Sequence, residues 1–212
     1  MDLLHPLVQA YAERFTSPED GVLQAVSAST SQTHAQSHML SGHLQGTFLQ
    51  IISEIMQPRR ILEIGTFTGY SAISLSKGLQ AGGLLHTIER RAEDANIAQE
   101  NFNLAEVQEK IILHTGNALE IIPTLDEQWD LVFIDADKTG YIQYYEMVLP
   151  KLIKGGIILA DNVFFHGQVL EKTLKGKNAP AIQAFNEYVR QDESVNKVML
   201  TIRDGLLLII KK

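Results

Sequence analysis

What most constrains the fold of this chain is a succession of short, mostly apolar runs, each set apart from the next by a stretch long enough for a helix. Arg60-Ile61-Leu62-Glu63-Ile64 comes first, and Leu84-Leu85-His86-Thr87-Ile88-Glu89 second. Ile111-Ile112-Leu113-His114, Leu131-Val132-Phe133-Ile134 and Ile157-Ile158-Leu159-Ala160 follow; glycine pairs introduce the second and the fifth. A strand with one face in water alternates apolar and polar residues, whereas runs without that alternation belong to strands covered on both faces. Helical spacing is predicted over 70–79, 92–105 and 141–152. Strands alternating with helices of about 10–15 residues make βαβ units and a parallel sheet. The final runs, Val198-Met199-Leu200-Thr201-Ile202 and Leu206-Leu207-Leu208-Ile209-Ile210, are separated only by Arg203-Asp204-Gly205. They read as a hairpin that reverses one strand. The prediction is an α/β fold, five parallel strands plus a terminal hairpin, with helices on both faces. Residues 1–55 are predicted helical, with Leu3, Leu4, Leu7, Val8, Tyr11 and Phe15 at helical spacing and Leu44, Phe48, Leu49 and Ile52 again so.

Composition narrows the function. With 212 residues, 45% of them hydrophobic and 20% charged, the chain suits one domain with a single large core. Eighteen Lys and Arg against 25 Asp and Glu leave a net charge of −7, which argues against a nucleic-acid partner. Cysteine is absent, so a disulfide framework, a zinc-thiolate site, an iron–sulfur site and a thiol nucleophile are excluded. Residues 1–10 carry Asp2 and Pro6 and no basic segment followed by an apolar one, so no secretory leader is expected. The longest wholly apolar run, Leu206 to Ile210, is far short of the about 20 residues that span a bilayer. A cytoplasmic protein without membrane contact is expected.

Ligands of an open parallel sheet bind beyond the carboxyl ends of its strands. Gly65-Thr66-Phe67-Thr68-Gly69 lies there, and Glu89 ends the next strand, about 20 residues on, where an acid meets ribose hydroxyls in nucleotide sites. The spacing is G-x-x-x-G, not G-x-G-x-x-G, and Phe67 stands where a middle glycine would admit a pyrophosphate. A nucleoside without pyrophosphate fits better than a dinucleotide, which disfavours an NAD-dependent dehydrogenase. The bland alternative is that both glycines serve only a strand-to-helix turn.

The stretch Leu62-Glu63-Ile64-Gly65-Thr66-Phe67-Thr68-Gly69-Tyr70-Ser71 resembles the first motif of S-adenosylmethionine-dependent methyltransferases. With Phe133-Ile134-Asp135-Ala136-Asp137-Lys138 and Ala160-Asp161-Asn162-Val163, the chain is similar to the cation-dependent caffeoyl-CoA and catechol O-methyltransferase family, from about Met39 to the C-terminus. That resemblance implies a Rossmann-like class I methyltransferase fold with a seven-stranded sheet. It implies one domain, 1–55 capping the active site and 56–212 forming the core, and a homodimer. Methyl transfer from S-adenosyl-L-methionine to a small aromatic vicinal diol is the implied reaction; a non-catalytic nucleoside-binding protein on the same fold is the alternative.

Asp135 follows the fourth run and Asp161-Asn162 the fifth, so their side chains point to one edge of the sheet. Taken alone, such residues are more often helix caps or loop hydrogen-bonders than ligands. In the light of the resemblance they become an all-oxygen site for a divalent cation, Mg²⁺ first, with Mn²⁺ or Ca²⁺ as alternatives. Asp137 is expected to cap or to support. Lys138 is either an exposed lysine paired with a neighbouring aspartate or, as the resemblance implies, the base that takes the hydroxyl proton once desolvation and the metal lower its pKa. Carried over by motif, Met39 and Ser41 lie over the cofactor, and Glu63, Gly65, Thr66 and Ser71 surround its amino-acid part. Glu89 takes the ribose, Asn117 and Ala118 face adenine, and Asp135 touches cofactor and metal alike. Asn117 stands where many members have Asp. Val198 is read as the place of a glutamate that grips substrate in the animal enzymes, which weakens catechol itself as the substrate.

Other features are assigned lesser roles. His34 and His38 have i, i+4 spacing, with His43 nearby, but no third ligand in register makes zinc the reading. His166 is either a substrate contact or a loop residue without a role. The segment 167–180, with Lys172, Lys175 and Lys177, is read as a solvated loop or a lid that could meet an acidic substrate. Trp129 is read as packing at the edge of the fourth strand.

Overall fold

The computed structural model describes residues 5–212. Seven strands, β1 (Arg60–Ile64), β2 (Leu84–Glu89), β3 (Ile111–Thr115), β4 (Trp129–Ile134), β5 (Leu152–Asp161), β6 (Val195–Leu200) and β7 (Leu206–Lys211), form one sheet in the order β3-β2-β1-β4-β5-β7-β6. β1 to β5 are parallel, and β7 alone is reversed, antiparallel to both β5 and β6. This is the architecture the apolar runs predict. Two boundaries differ. β5 begins at Leu152, so the Gly155-Gly156 pair lies inside it: Trp129 pairs with Leu152 and Leu131 with Ile157, and the extra residues form an irregular bulge that needs glycine. β6 spans 195–200 rather than 198–202, because the hairpin loop occupies 201–205 with Arg203 and Gly205 at positive φ (48° and 87°).

Neighbouring strand residues point to opposite faces and so feed two cores. Ile61, Leu131, Phe133 and Leu159 join Leu49, Leu75 and Phe102 on one face. Leu62, Val132, Ile134 and Ile158 join Tyr141, Tyr145 and Phe185 on the other. Every one of these is at most 1% exposed, and burying such a side chain stabilises by about 1.5–3 kcal/mol, which is why both faces of the central strands read apolar. Trp129 is fully buried, as the edge-packing reading requires.

Helices α1 (Pro6–Arg14), α2 (Gly21–Thr33) and α3 (Gly42–Met56) precede the sheet; α4 (Tyr70–Ser76), α5 (Ala92–Leu104), α6 (Ala118–Ile121), α7 (Tyr141–Val148) and α8 (Asn178–Gln191) are interleaved with it. The Asp20 carboxylate starts α2 by accepting from the Leu23 amide at 2.8 Å. α7 stops at Val148, four residues before its predicted end: Leu149 still has helical angles (φ −57°, ψ −42°), but Pro150 has no amide hydrogen with which to continue the ladder. α8 is a helix the sequence reading did not single out; it buries Ala179, Ile182, Phe185 and Val189. α1 leaves Leu7, Val8, Tyr11 and Phe15 between 56% and 73% exposed, while Leu3 and Leu4 lie outside the described residues.

β1 and β4 are neighbours, and at the boundary between them the strand order turns back. The Asp135 amide donates to the Ile64 carbonyl at 2.8 Å. Gly65 follows with φ 102°, and a Cβ there would stand 1.8 Å from the Asp135 carbonyl oxygen. Gly65→Ala is therefore expected to destabilise by about 3 kcal/mol or more, read as a lower urea midpoint at unchanged slope. An unshifted midpoint would show that this approach is not tight.

Candidate active site

A cleft of about 770 Å³ opens beyond the carboxyl ends of β1, β2, β4 and β5, at the crevice an open sheet offers where its order reverses. It brings together Met39, Ser41, Gly65, Thr66, Ser71, Glu89, Asn117, Ala118, Asp135, Lys138, Asp161 and Asn162. Glu63 alone of the candidate residues lies beneath the cleft floor, wholly buried.

On the β1–β2 side of the cleft, Gly65 and Gly69 both take positive φ, and the turn between them aims the Phe67 amide at Glu89, whose Oε2 accepts it at 2.7 Å. Glu89 Oε1 accepts from the Arg91 amide at 2.9 Å, so this carboxylate is held at both oxygens. Glu63 Oε2 accepts from the Thr87 hydroxyl at 2.5 Å, the Ser71 hydroxyl also bears on this carboxyl, and Oε1 has no hydrogen-bond partner among the described residues. Burial, opposed by the hydroxyls of Ser71 and Thr87 and reinforced by the charges of Asp135 and Glu89, pushes the Glu63 carboxyl up to about 8. Asn117 caps α6, accepting from the Leu119 amide at 3.2 Å.

Across the cleft, Lys138 Nζ donates to Asp135 Oδ1 at 2.9 Å, to Asn162 Oδ1 at 2.7 Å and to the Tyr141 hydroxyl at 2.7 Å. Tyr141 in turn donates to the Asp161 carbonyl at 3.0 Å. Asp161 Oδ2 accepts from Gln45 of α3 at 2.8 Å and Oδ1 from the Asn162 amide at 2.8 Å. Burial and the adjacent Asp135 charge push Asp161 up to about 7, against Lys138, Gln45 and Arg203. For Lys138, desolvation acts downward as the sequence reading expects, but Tyr141, Asp135 and Asp161 outweigh it. In this arrangement its pKa is raised, not lowered, and the lysine is a firmly held ammonium. Asp137 accepts from Tyr144 and Thr139 and makes no side-chain cap.

Other expectations separate. His34 bonds Asp94 at 2.9 Å and His43 the Ser17 carbonyl at 2.6 Å, while His38 lines the cleft. Among the described residues no group of three or more His, Asp or Glu side chains is placed to hold a metal. The Asp135–Asp161–Asn162 set has only two carboxylates, its third donor being an amide. Val198 is half-exposed in β6, away from the cleft; the hairpin residues that reach it are Arg203 and Asp204. A β6 side chain cannot reach past β7, which separates it from β5, so the substrate comparison made at Val198 belongs to the loop. Lys172, Lys175 and Lys177 are exposed and off the cleft wall. Gln45 carries no signal in the sequence, being an ordinary helical glutamine; only the tertiary placement of α3, which brings it to Asp161, reveals it.

The chain matches the O-methyltransferase family over residues 13–212. It belongs to that family. A catechol O-methyltransferase of Niastella koreensis is 33% identical over 217 residues, covering 97% of this chain and 96% of that one. The O-methyltransferase TomG of Streptomyces achromogenes, solved in complex with S-adenosylmethionine, superposes with TM-score 0.89 at 29% identity, over 97% of this chain and 96% of that one. An O-methyltransferase of Bacillus cereus, solved in complex with SAH, gives TM-score 0.86 at 31% identity and 97% coverage of both. The chain is an S-adenosylmethionine-dependent O-methyltransferase, and no helix among its described residues is long and apolar enough to cross a membrane.

In this methyltransferase Glu63 gives a pH signature. Its folded pKa, about 8 against an ordinary 4.5, means that the folded state holds a proton the unfolded state gives up. The stability it lends is present below pH 4.5 and lost as pH rises through about 8. The Tm of Glu63→Gln should match the parent at low pH and exceed it increasingly up to about pH 8; a pH-independent difference would contradict the assignment.

Proposed function

We propose that the cleft transfers the methyl group of S-adenosyl-L-methionine to one hydroxyl of a small aromatic vicinal diol, catechol- or caffeoyl-like, with a divalent cation at Asp135, Asp161 and Asn162. The observation that carries this reading is the convergence of Asp135 Oδ1 and Asn162 Oδ1 on a single cationic point, each within 3 Å of Lys138 Nζ. The Asp161 charge bears on the same lysine. An all-oxygen set of two carboxylates and an amide fits Mg²⁺, with Mn²⁺ or Ca²⁺ as substitutes. A cation bound there supplies a Lewis-acid contact to the acceptor oxygens and compensates the two carboxylates.

Glu63 supports the cofactor assignment: a buried carboxylate oxygen without a partner suits a ligand cation such as the ammonium of the amino-acid part, beside Gly65, Thr66 and Ser71. Glu89 takes the ribose hydroxyls, Asn117 and Ala118 bound the adenine, and Met39 and Ser41 close over the sulfonium. Asp135 stands between cofactor and acceptor. Lys138 holds the acceptor proton's path: compensation of Asp135 and Asp161 frees it to act as base, and Tyr141 keeps its Nζ aimed at the acceptor. Both reactants need little beyond positioning and charge stabilisation, and a rigid frame of buried residues provides that. A non-catalytic role would leave the buried Lys138 cluster without a purpose, and the dehydrogenase reading falls with the family assignment. We further propose a cytoplasmic homodimer without nucleic-acid contact, with the exposed apolar face of α1 in the subunit interface. Sedimentation as a monomer would sink the dimer.

Methyl transfer from labelled cofactor to caffeic acid and other vicinal diols, run with Mg²⁺ and with chelator, tests the reaction; product that persists with chelator rules out the cation. Asp161→Ala should lower metal-stimulated turnover by on the order of 100-fold and weaken Mn²⁺ binding by a similar factor, with cofactor affinity little changed. Parental Mn²⁺ affinity would remove Asp161 from the metal site. Glu89→Ala should weaken cofactor binding about 10-fold to 100-fold, as expected for hydrogen bonds to a charged group, measured by calorimetry. Unaltered affinity would refute the ribose contact.

A further inference from the structure

Arg203 sits in the β6–β7 loop at φ 48°, a left-handed conformation that an L side chain adopts at a cost. Such geometry persists where the surroundings over-determine it and gathers at functional sites. Five of the seven non-glycine residues at positive φ, Phe67, Asn162, Phe165, His166 and Arg203, line the cleft. Arg203 thus shares the cleft wall with Asn162, Phe165 and His166, its guanidinium resting against Ser41 and Gln45.

Its bonding is unusual for a partly buried arginine. Nη1 donates to the Ser41 carbonyl and to Gln45 Oε1 at 3.1 Å, both neutral acceptors. Among the described residues no carboxylate stands within 4 Å of the guanidinium, and Nε and Nη2 have no hydrogen-bond partner. The adjacent Asp204 also lines the cleft, but its Oδ1 accepts from the His166 amide at 2.6 Å and neither of its oxygens comes within 4 Å of the guanidinium. Asp161 feels the Arg203 charge, yet its oxygens are held by Gln45 and Asn162. In a chain of net charge −7, a cation left unpaired on a ligand cleft is out of keeping with the rule that sheltered charges are paired.

We infer that Arg203 is an anion subsite for the acceptor, taking a carboxylate on the arm of the aromatic diol. The remaining Nε–H and Nη2–H form a planar fork that matches the two oxygens of a carboxylate. The contacts to Ser41 and Gln45 hold that fork still, so little side-chain freedom is lost when the acid binds. The diol end of the acceptor faces Lys138 and Asn162, and the acid end faces Arg203. The inference rests on the proposed diol reaction and adds a preference for acidic acceptors over neutral ones.

The test compares kcat/KM for 3,4-dihydroxycinnamate and for its methyl ester, in the parent and in two variants. Arg203→Gly removes the guanidinium at a φ that glycine adopts freely, so the loop keeps its path; Arg203→Lys keeps the charge without the fork. The parent should prefer the acid by about 10-fold to 100-fold, the range for charge-assisted hydrogen bonds. Arg203→Gly should bring the ratio close to one, and Arg203→Lys should restore part of it. A purely structural role for Arg203 would lower both substrates together and leave the ratio alone, which overturns the subsite, as does a parental ratio of one. Methylation of neither diol by the parent would instead overturn the reaction, and the subsite with it.

Discussion

The carboxyl ends of β1 and β4 run so close together that no side chain fits between them, and the rest of the site depends on this contact. Gly65 lies against the Asp135 carbonyl, and the Asp135 amide is tied to Ile64. The turn after β1 and the turn after β4 thereby share one wall. Glu63 and Glu89 are fixed behind the first turn, Asp135 and Lys138 on the second. β5, hydrogen-bonded along the other side of β4, brings Asp161 and Asn162 to the same level. Parallel pairing makes the convergence possible, because it delivers all these strand ends to one edge.

The charges that gather there are arranged by polarity. The Asp135 charge bears on both Glu63 and Asp161 in a sheltered space, and these two hold their protons more tightly than free carboxyls do. Such a set welcomes positive charge: an ammonium, a sulfonium, a divalent ion. Lys138 answers it within the protein, and its raised pKa is the other half of that attraction. The hairpin loop adds a second cation, Arg203, which bonds only neutral oxygens.

α3 links the acidic set to Arg203. Gln45, buried, donates to Asp161 and accepts from Arg203, so the segment before the sheet helps to orient a carboxylate at the carboxyl end of β5. Gly46, next in sequence, lets α3 approach the Tyr70 ring closely, since a Cβ there would stand 2.5 Å from it. The position of Gln45 is set by helix packing and by nothing local to Asp161.

Much of this was legible before any coordinates. β1 and β2 fall where their apolar runs stand, and the glycine turn, Glu89, Asp135 and Asp161-Asn162 follow from the rule that ligands meet the ends of parallel strands. Local pattern and hydrophobic burial dictate those, because a strand covered on both faces leaves no freedom in its composition. Pattern could not show that Gly155-Gly156 lies within β5, that the hairpin loop starts at residue 201, or that Val198 is shielded from the cleft by β7. Register and strand neighbours decide those, and they arise from contacts between distant segments. The direction of the Lys138 shift, the Gln45 link and the free edge of Arg203 belong to the same class. Each depends on which charges and hydrogen-bond partners end up within a few ångströms, and that distance is a property of the packed chain, not of residue order.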